Sequence, residues 1–216
     1  MEETQEIPNK YHQIMIGAIA TFLCITTLAM FKYPGGNSLN PSATTYDFWI
    51  NVFSDLGTTT TNRNEANTFS SILFSLAMEE FGIIVIFIWN KIPVKNRIFA
   101  ARHRRYGTLC GVGLCIIGLT PFNIVPTLHA IGVGIWLIGY LGLVNPHNIT
   151  PDRFQYLSKR QLWCEHFLFW ITVTHFIAVL LELVNLYDSL YFIPISQKIV
   201  VYGLFVYHFL ITEKNV

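Results

Sequence analysis

Charge is what this chain has least of. Only 12% of its 216 residues are Asp, Glu, Lys or Arg, about half the share usual in a soluble domain. The net charge is +1, so no global field recruits nucleic acid or an acidic partner. Cysteine is scarce as well. Cys24, Cys110, Cys115 and Cys164 all fall inside apolar runs, which excludes a loop-borne disulfide framework or a zinc knuckle and leaves them as small buried hydrophobes. The opening Met-Glu-Glu-Thr-Gln-Glu lacks the basic region of a signal peptide, so the first apolar run is expected to be retained as a spanning helix. No His-Glu-x-x-His pairing is present, and no strand precedes the glycines. Zinc-protease and dinucleotide fingerprints are therefore missing.

What the chain has in quantity is apolar surface: 52% hydrophobic and 15% aromatic residues. A spanning helix needs about 20 mostly apolar residues, and six windows qualify, at 13–31, 68–89, 106–122, 126–144, 162–186 and 195–211. The expectation is one all-α transmembrane domain over 1–216, a polytopic bundle of six helices. Basic residues orient it. Lys91, Lys95, Arg97, Arg102, Arg104 and Arg105 follow the second window and Arg153, Lys159 and Arg160 the fourth. With Lys10 and Lys214 these make 11, against Lys32, Arg63 and Lys198 on the other side. The excess marks the cytoplasmic face, so both termini should be cytoplasmic, in a bacterial or archaeal cytoplasmic membrane. Membrane lipids are the expected partners, since juxtamembrane basic clusters attract anionic headgroups at about 1 kcal/mol per charge.

On that topology the one long loop, 33–67, faces outward. Tyr33-Pro34-Gly35-Gly36-Asn37 stops the first helix. Thr44 or Thr45 offers an N-cap, Asp47 suits a first turn and Gly57 a C-terminal stop. Between them Phe48, Trp49, Ile50, Val52 and Phe53 predict an interfacial helix that presses Ser54 and Asp55 onto the outer mouth of the bundle. Thr68 is expected to cap the second helix. The glycines of the third and fourth windows read as close-packing positions, with small-xxx-small pairs at Gly107/Gly111 and Ala130/Gly134.

Ionisable groups inside a span need a partner or a wet cavity. Glu79 and Glu80 lie midway along the second helix, His175 midway along the fifth, and Glu182 two turns later on nearly the same face. They line either a polar cavity floor or a helix-to-helix lock. His166 and His208, at the inner end, read as packed or interfacial, and as a haem pair only weakly. On the outer side Ser54, Asp55, Asn123 and His129, joined by Glu182 and Asp188, are placed to converge. A carboxylate beside an imidazole can orient a base or hold a metal, and the same pair can simply fasten the loop to the bundle.

Phe53-Ser54-Asp55-Leu56-Gly57, the Gly111-Val112-Gly113-Leu114 helix ending in Thr120-Pro121-Phe122-Asn123, and His129-Ala130-Ile131-Gly132 give the segment from Tyr33 to Gly142 a family look. It resembles the uncharacterised bacterial and archaeal membrane family called domain of unknown function nine-nine-eight. More distantly it is similar to the Frag, DRAM and Sfk group of six-helix membrane proteins. That second likeness implies lipid chemistry on the outer or lumenal side. A fainter similarity to alkaline ceramidases would imply a zinc site of Ser, Asp and His, but the paired histidines of that superfamily's last helix are absent here.

The reading that follows is an outward-facing polar site that binds or modifies a lipid or other amphiphile. As a metal-assisted hydrolase it would use Asp55 and His129 for acid-base or metal-ligand work, with Ser54 and Asn123 as hydrogen-bond partners and Glu79, Glu80, His175 and Glu182 lining the cavity. No cofactor is required by the sequence, and a divalent metal is admitted without being demanded. The alternatives are a small proton-coupled transporter or channel through Glu79, Glu80, His175 and Glu182, and a non-catalytic membrane scaffold.

Overall fold

The computed structural model describes residues 9–92, 97–145, 158–184, 186 and 191–213. The expectations placed on Lys95, Arg153, Asp188 and Lys214 lie outside these residues, as does the side chain of Arg97. The described residues form six α-helices, α1 Asn9–Lys32, α2 Thr68–Lys91, α3 Arg97–Leu119, α4 Pro126–Val144, α5 Lys159–Leu183 and α6 Phe192–Thr212, with a 3-10 helix at Phe53–Gly57. No strand occurs among the described residues; one isolated bridge joins Thr60 to Ala66. Five helices, all but α3, are long and apolar enough to cross a membrane, which is the make-up of an integral membrane protein. Large apolar side chains face outward along them, among them Trp163, Phe167, Ile138 and Ile83.

α3 differs from its neighbours for a reason visible in its composition. It begins at Arg97, well before the expected Tyr106, and carries Arg102, His103, Arg104 and Arg105 in its first turns. It also stops at Leu119, so Thr120, Pro121 and Phe122 belong to the connection. The apolar part, 106–119, rises only about 20 Å, short of the ~30 Å hydrocarbon core. Arg102 has a task of its own. Its guanidinium donates to the carbonyls of Gly142 (2.8 and 3.0 Å), Leu143 (3.1 Å) and Asn145 (3.2 Å). A fixed cation thereby satisfies the unpaired carbonyls at the C-terminus of α4.

Consecutive helices run antiparallel. Tyr11 at the start of α1 donates to the Lys91 carbonyl at the end of α2 (3.0 Å), and His12 meets Thr212 at the end of α6 (3.1 Å). α6 is central, because each of the other five touches it. Phe22 of α1 and Phe81 of α2 both pack on Phe205, with centroids 4.8 Å apart in each pair. His103 of α3 hydrogen-bonds Tyr207 (3.1 Å), Tyr207 donates to the Leu143 carbonyl of α4 (3.3 Å), and His175 of α5 bonds Ser196 (2.8 Å). α5 is the outermost partner, capped by a reciprocal Ser158 and Gln161 pair.

The α2–α3–α4 side is held by glycine. A Cβ on Gly139 would collide with the backbone of Cys110, and one on Gly111 with the backbone of Gly82. These helices therefore approach backbone to backbone, as small residues permit in lipid. Gly134, by contrast, has open space where its Cβ would be. Gly139→Ala should therefore lower stability by about 1–3 kcal/mol, while Gly134→Ala should stay within about 0.5 kcal/mol of the parent. Unfolding in mixed micelles against increasing SDS reads the difference, and equal effects would refute backbone contact between α3 and α4.

Candidate functional site

The loop from Tyr33 to Asn67 is a folded plug rather than an amphipathic helix. Asp47 and Asn51 close its first turn. The Asp47 carboxylate accepts the amides of Trp49 (2.8 Å) and Ile50 (3.3 Å), and Asn51 Oδ1 accepts the amide of Asp47 (2.9 Å). Asp47 thus acts as an N-cap, taking donors that a helix start leaves free. The segment makes one turn at 47–51, extends at Val52, and resumes as the 3-10 helix Phe53–Gly57. The expected interfacial helix is reduced to these two short turns. Nor does Thr68 cap α2. Asn67 occupies the N-cap and spends its amide on the carbonyls of Leu56 (3.1 Å) and Thr58 (2.8 Å).

Phe53 and Leu56 are fully buried, and Phe53 sits against Phe22, Phe74 and Tyr202. Upstream, Gly35 and Gly36 both have positive φ (104° and 87°), which only glycine adopts freely. The resulting bend aims the Gly36 carbonyl at the plug, where Asn51 Nδ2 donates to it (3.0 Å). The same Nδ2 donates to Asp55 Oδ2 (2.8 Å). Asn51 is thus the hub between the Gly-Gly turn, Asp47 and Asp55.

α6 supplies the other half. Lys198 is only 3% exposed, and its Nζ donates to the Asn51 carbonyl (2.5 Å) and the Pro194 carbonyl (3.3 Å). The ammonium also lies over the rings of Phe48 (5.1 Å) and Tyr46 (5.7 Å), a favourable placement for a desolvated cation. Next to it, Gln197 Oε1 accepts the Phe53 amide (2.6 Å). Burial pushes the Asp55 carboxyl up to about 6, opposed by the Asn51 hydrogen bond and the nearby Lys198 charge. No direct ion pair joins Asp55 to Lys198; Asn51 stands between them.

The other expected residues fall elsewhere. His129 is buried on α4 with Nδ1 bonded to the Thr120 carbonyl (2.6 Å) and its ring against Phe122. No hydrogen bond or ion pair joins it to Asp55. Asn123 accepts the Thr59 amide (3.0 Å) and donates to the hydroxyls of Thr59 and Thr60 (2.9 and 3.0 Å), fastening the loop to the α3–α4 connection. Ser54 is half-buried, and its hydroxyl makes no hydrogen bond among the described residues. Glu79 lies beside Gly118 of α3, Glu80 has one buried carboxylate oxygen without a partner, and Glu182 is exposed. His175 pairs with Ser196 and not with either glutamate of α2. Among the described residues no three His, Cys, Asp or Glu side chains converge on a metal-sized space. His166 is exposed and bonds its own helix, whereas His208 is wholly buried among Phe81, Trp89 and Tyr207.

Lys198, Asn51 and Gln197 are the residues that sequence reasoning missed. Lys198 carried the signal: a lone cation within an apolar window is the kind of group that demands a built environment.

The fold and its plug define a helical membrane-type bundle with a buried polar cluster at one end. No family model, no curated protein and no solved structure matches the chain.

The sign of the Asp55 effect is fixed by its environment. The folded chain binds this proton more tightly than the unfolded one, whose ordinary value is 3.8, so stability falls as pH rises from about 4 to about 6 and levels off beyond. Between pH 4 and pH 7 wild type should lose about 2 kcal/mol relative to Asp55→Asn, measured by unfolding both in the same detergent. Parallel curves for the two would place Asp55 in water rather than in the plug.

Proposed function

We propose that the protein is a six-helix integral membrane protein, termini on the cytoplasmic side, whose outward-facing plug binds a lipid or other amphiphile. The observation that carries the reading is Lys198, a buried ammonium held under an aromatic flap beside a carboxyl of raised affinity for its proton. Burying such groups costs several kcal/mol per ion, and a loop that needed only to connect two helices has no reason to collect them. Aromatic rings, a cation and hydrogen-bonding side chains at the end of a membrane bundle are suited to a molecule with a polar head and an apolar tail. The partition of charge supports the orientation. Lys10, Lys91, Arg102, Arg104, Arg105, Lys159 and Arg160 all stand at the end opposite the plug, as cytoplasmic residues would.

Binding is the part of this reading that the geometry supports best. Hydrolysis through Asp55 and His129 would require the two to be brought together, and each is engaged separately. The short motifs that carry the resemblance to the nine-nine-eight family include the Gly-Gly bend, Asp55, Asn123 and His129, each held by a hydrogen bond of the fold.

The full-length protein, released from nanodiscs of a natural lipid extract, should retain lipid by native mass spectrometry. The Ser54→Ala/Asp55→Ala double variant should lose most of that lipid while keeping its helical circular dichroism. Lys198→Met, which preserves the length of the side chain, should lose it too. Undiminished retention by both folded variants would remove the proposal.

A further inference from the structure

We propose that a groove between α5 and α6 holds one acyl chain of a membrane phospholipid from the leaflet on the plug side, selected by its chain and not by its headgroup charge. This names the ligand class for the amphiphile reading above and rests on it. The groove has a volume of about 370 Å³ and runs along α6 from Ile195 to Val206, with Cys164, Phe167 and Leu168 of α5 as the facing wall. At 1.5 Å per residue that stretch of α6 rises about 16 Å, half of the ~30 Å hydrocarbon thickness. It is therefore one leaflet deep. Gly203 lets the Leu168 side chain of α5 close against α6 as the floor of the groove, and Phe48 and Trp49 of the flap stand at its mouth.

Two further features say what enters. First, Phe167 is 61% exposed, Val206 52% and Trp49 61%, so the groove opens sideways onto the surface that would face lipid, and a chain can slide in without leaving the bilayer. Second, the wall is apolar except for Lys198, whose charge is already engaged. Its Nζ has two carbonyl acceptors and two aromatic faces, with the carboxylates of Asp55 and Asp47 in electrostatic range. An acidic headgroup arriving at the mouth would meet those carboxylates as well as the ammonium. Moving a chain from lipid to protein gains nothing from the hydrophobic effect, so retention comes from close contact with the rings and branched side chains of the wall.

Photolabelling separates this site from the ordinary lipid shell. The full chain is placed in phosphatidylcholine nanodiscs doped with a phospholipid that carries a diazirine on its acyl chain, then irradiated and mapped by mass spectrometry. Phe167, Ile199 and Val206 should be labelled several-fold more than Ile83 and Ile138, which are similarly exposed on other helices (59% and 61%). Ile199→Trp, at a partly exposed position, should fill the groove and bring that labelling down to the level of the reference sites with thermal stability unchanged. Carriers with phosphatidylglycerol and phosphatidylcholine heads should label equally. Even labelling of all five positions overturns the inference. So does a several-fold preference for the acidic carrier that Lys198→Met abolishes. Even labelling with retention still lost in the Ser54→Ala/Asp55→Ala variant rejects the groove and leaves the plug reading standing, whereas retention indifferent to that variant and to Lys198→Met rejects the plug reading itself.

Discussion

Lipid offers no hydrogen bonds, and the placement of α6 is the consequence from which the rest of this bundle follows. Ser196, Lys198, Tyr207, His208 and Thr212 lie on this one helix and all are buried. Turned toward hydrocarbon, each would cost from one to several kcal/mol. Surrounded by five helices, most find a partner: His175 for Ser196, His103 and the Leu143 carbonyl for Tyr207, His12 for Thr212. α5 turns its own polar side chains, Gln161, Glu165, Thr172 and His175, inward and leaves Trp163 and Trp170 exposed on its outer side. The satisfaction is incomplete. Both ring nitrogens of His208, the indole nitrogen of Trp89 and one oxygen of Glu80 are buried without a hydrogen-bond partner among the described residues.

The plug extends the same logic to the loop end. A central helix that begins at Phe192 brings Lys198 about 9 Å below its own start, too deep for its ammonium to be left to lipid. The side chain reaches back toward the loop, as long cationic side chains do near a membrane surface, but it meets protein there instead of water. For that the loop must present carbonyls at the right height. Asn51 does so because Asp47 and the positive-φ glycines hold its turn in place, and Phe53 wedges the next turn between α1, α2 and α6. Asp55 is then half-buried as a by-product of the wedge, and desolvation there raises its affinity for its proton.

The helical architecture was legible in the sequence because it depends on length and composition alone. The windows at 68–89, 126–144 and 195–211 fall within a few residues of α2, α4 and α6. α3 was misjudged at both ends since hydropathy cannot see that Arg102 extends the helix by capping α4, or that Pro121 sits in the turn. The candidate site was legible only in part. Ser54, Asp55 and Asn123 were rightly placed in or against the loop, because Asp, Ser and Asn beside aromatic residues announce a structured turn. Which imidazole or cation meets Asp55 depends on which helix is central, and that is decided by all six helices competing to bury polar groups. Local patterning favours His129; in the fold Asp55 is held by Asn51, with Lys198 bonded to the carbonyl of the same residue.

That outcome bears on what the site can do. An acid paired with a histidine is a device for moving protons, whereas an acid held by the side-chain amide of Asn51 and a lysine held by its main-chain carbonyl form a fixed, nearly neutral clamp. Such a clamp contributes shape more than reactivity. It holds Phe48 and Trp49 in position at the head of the α5–α6 groove, where the proposed acyl chain would enter. The polar cluster and the apolar groove are therefore two faces of one construction: the first fixes the flap, and the flap in turn defines the mouth of the second.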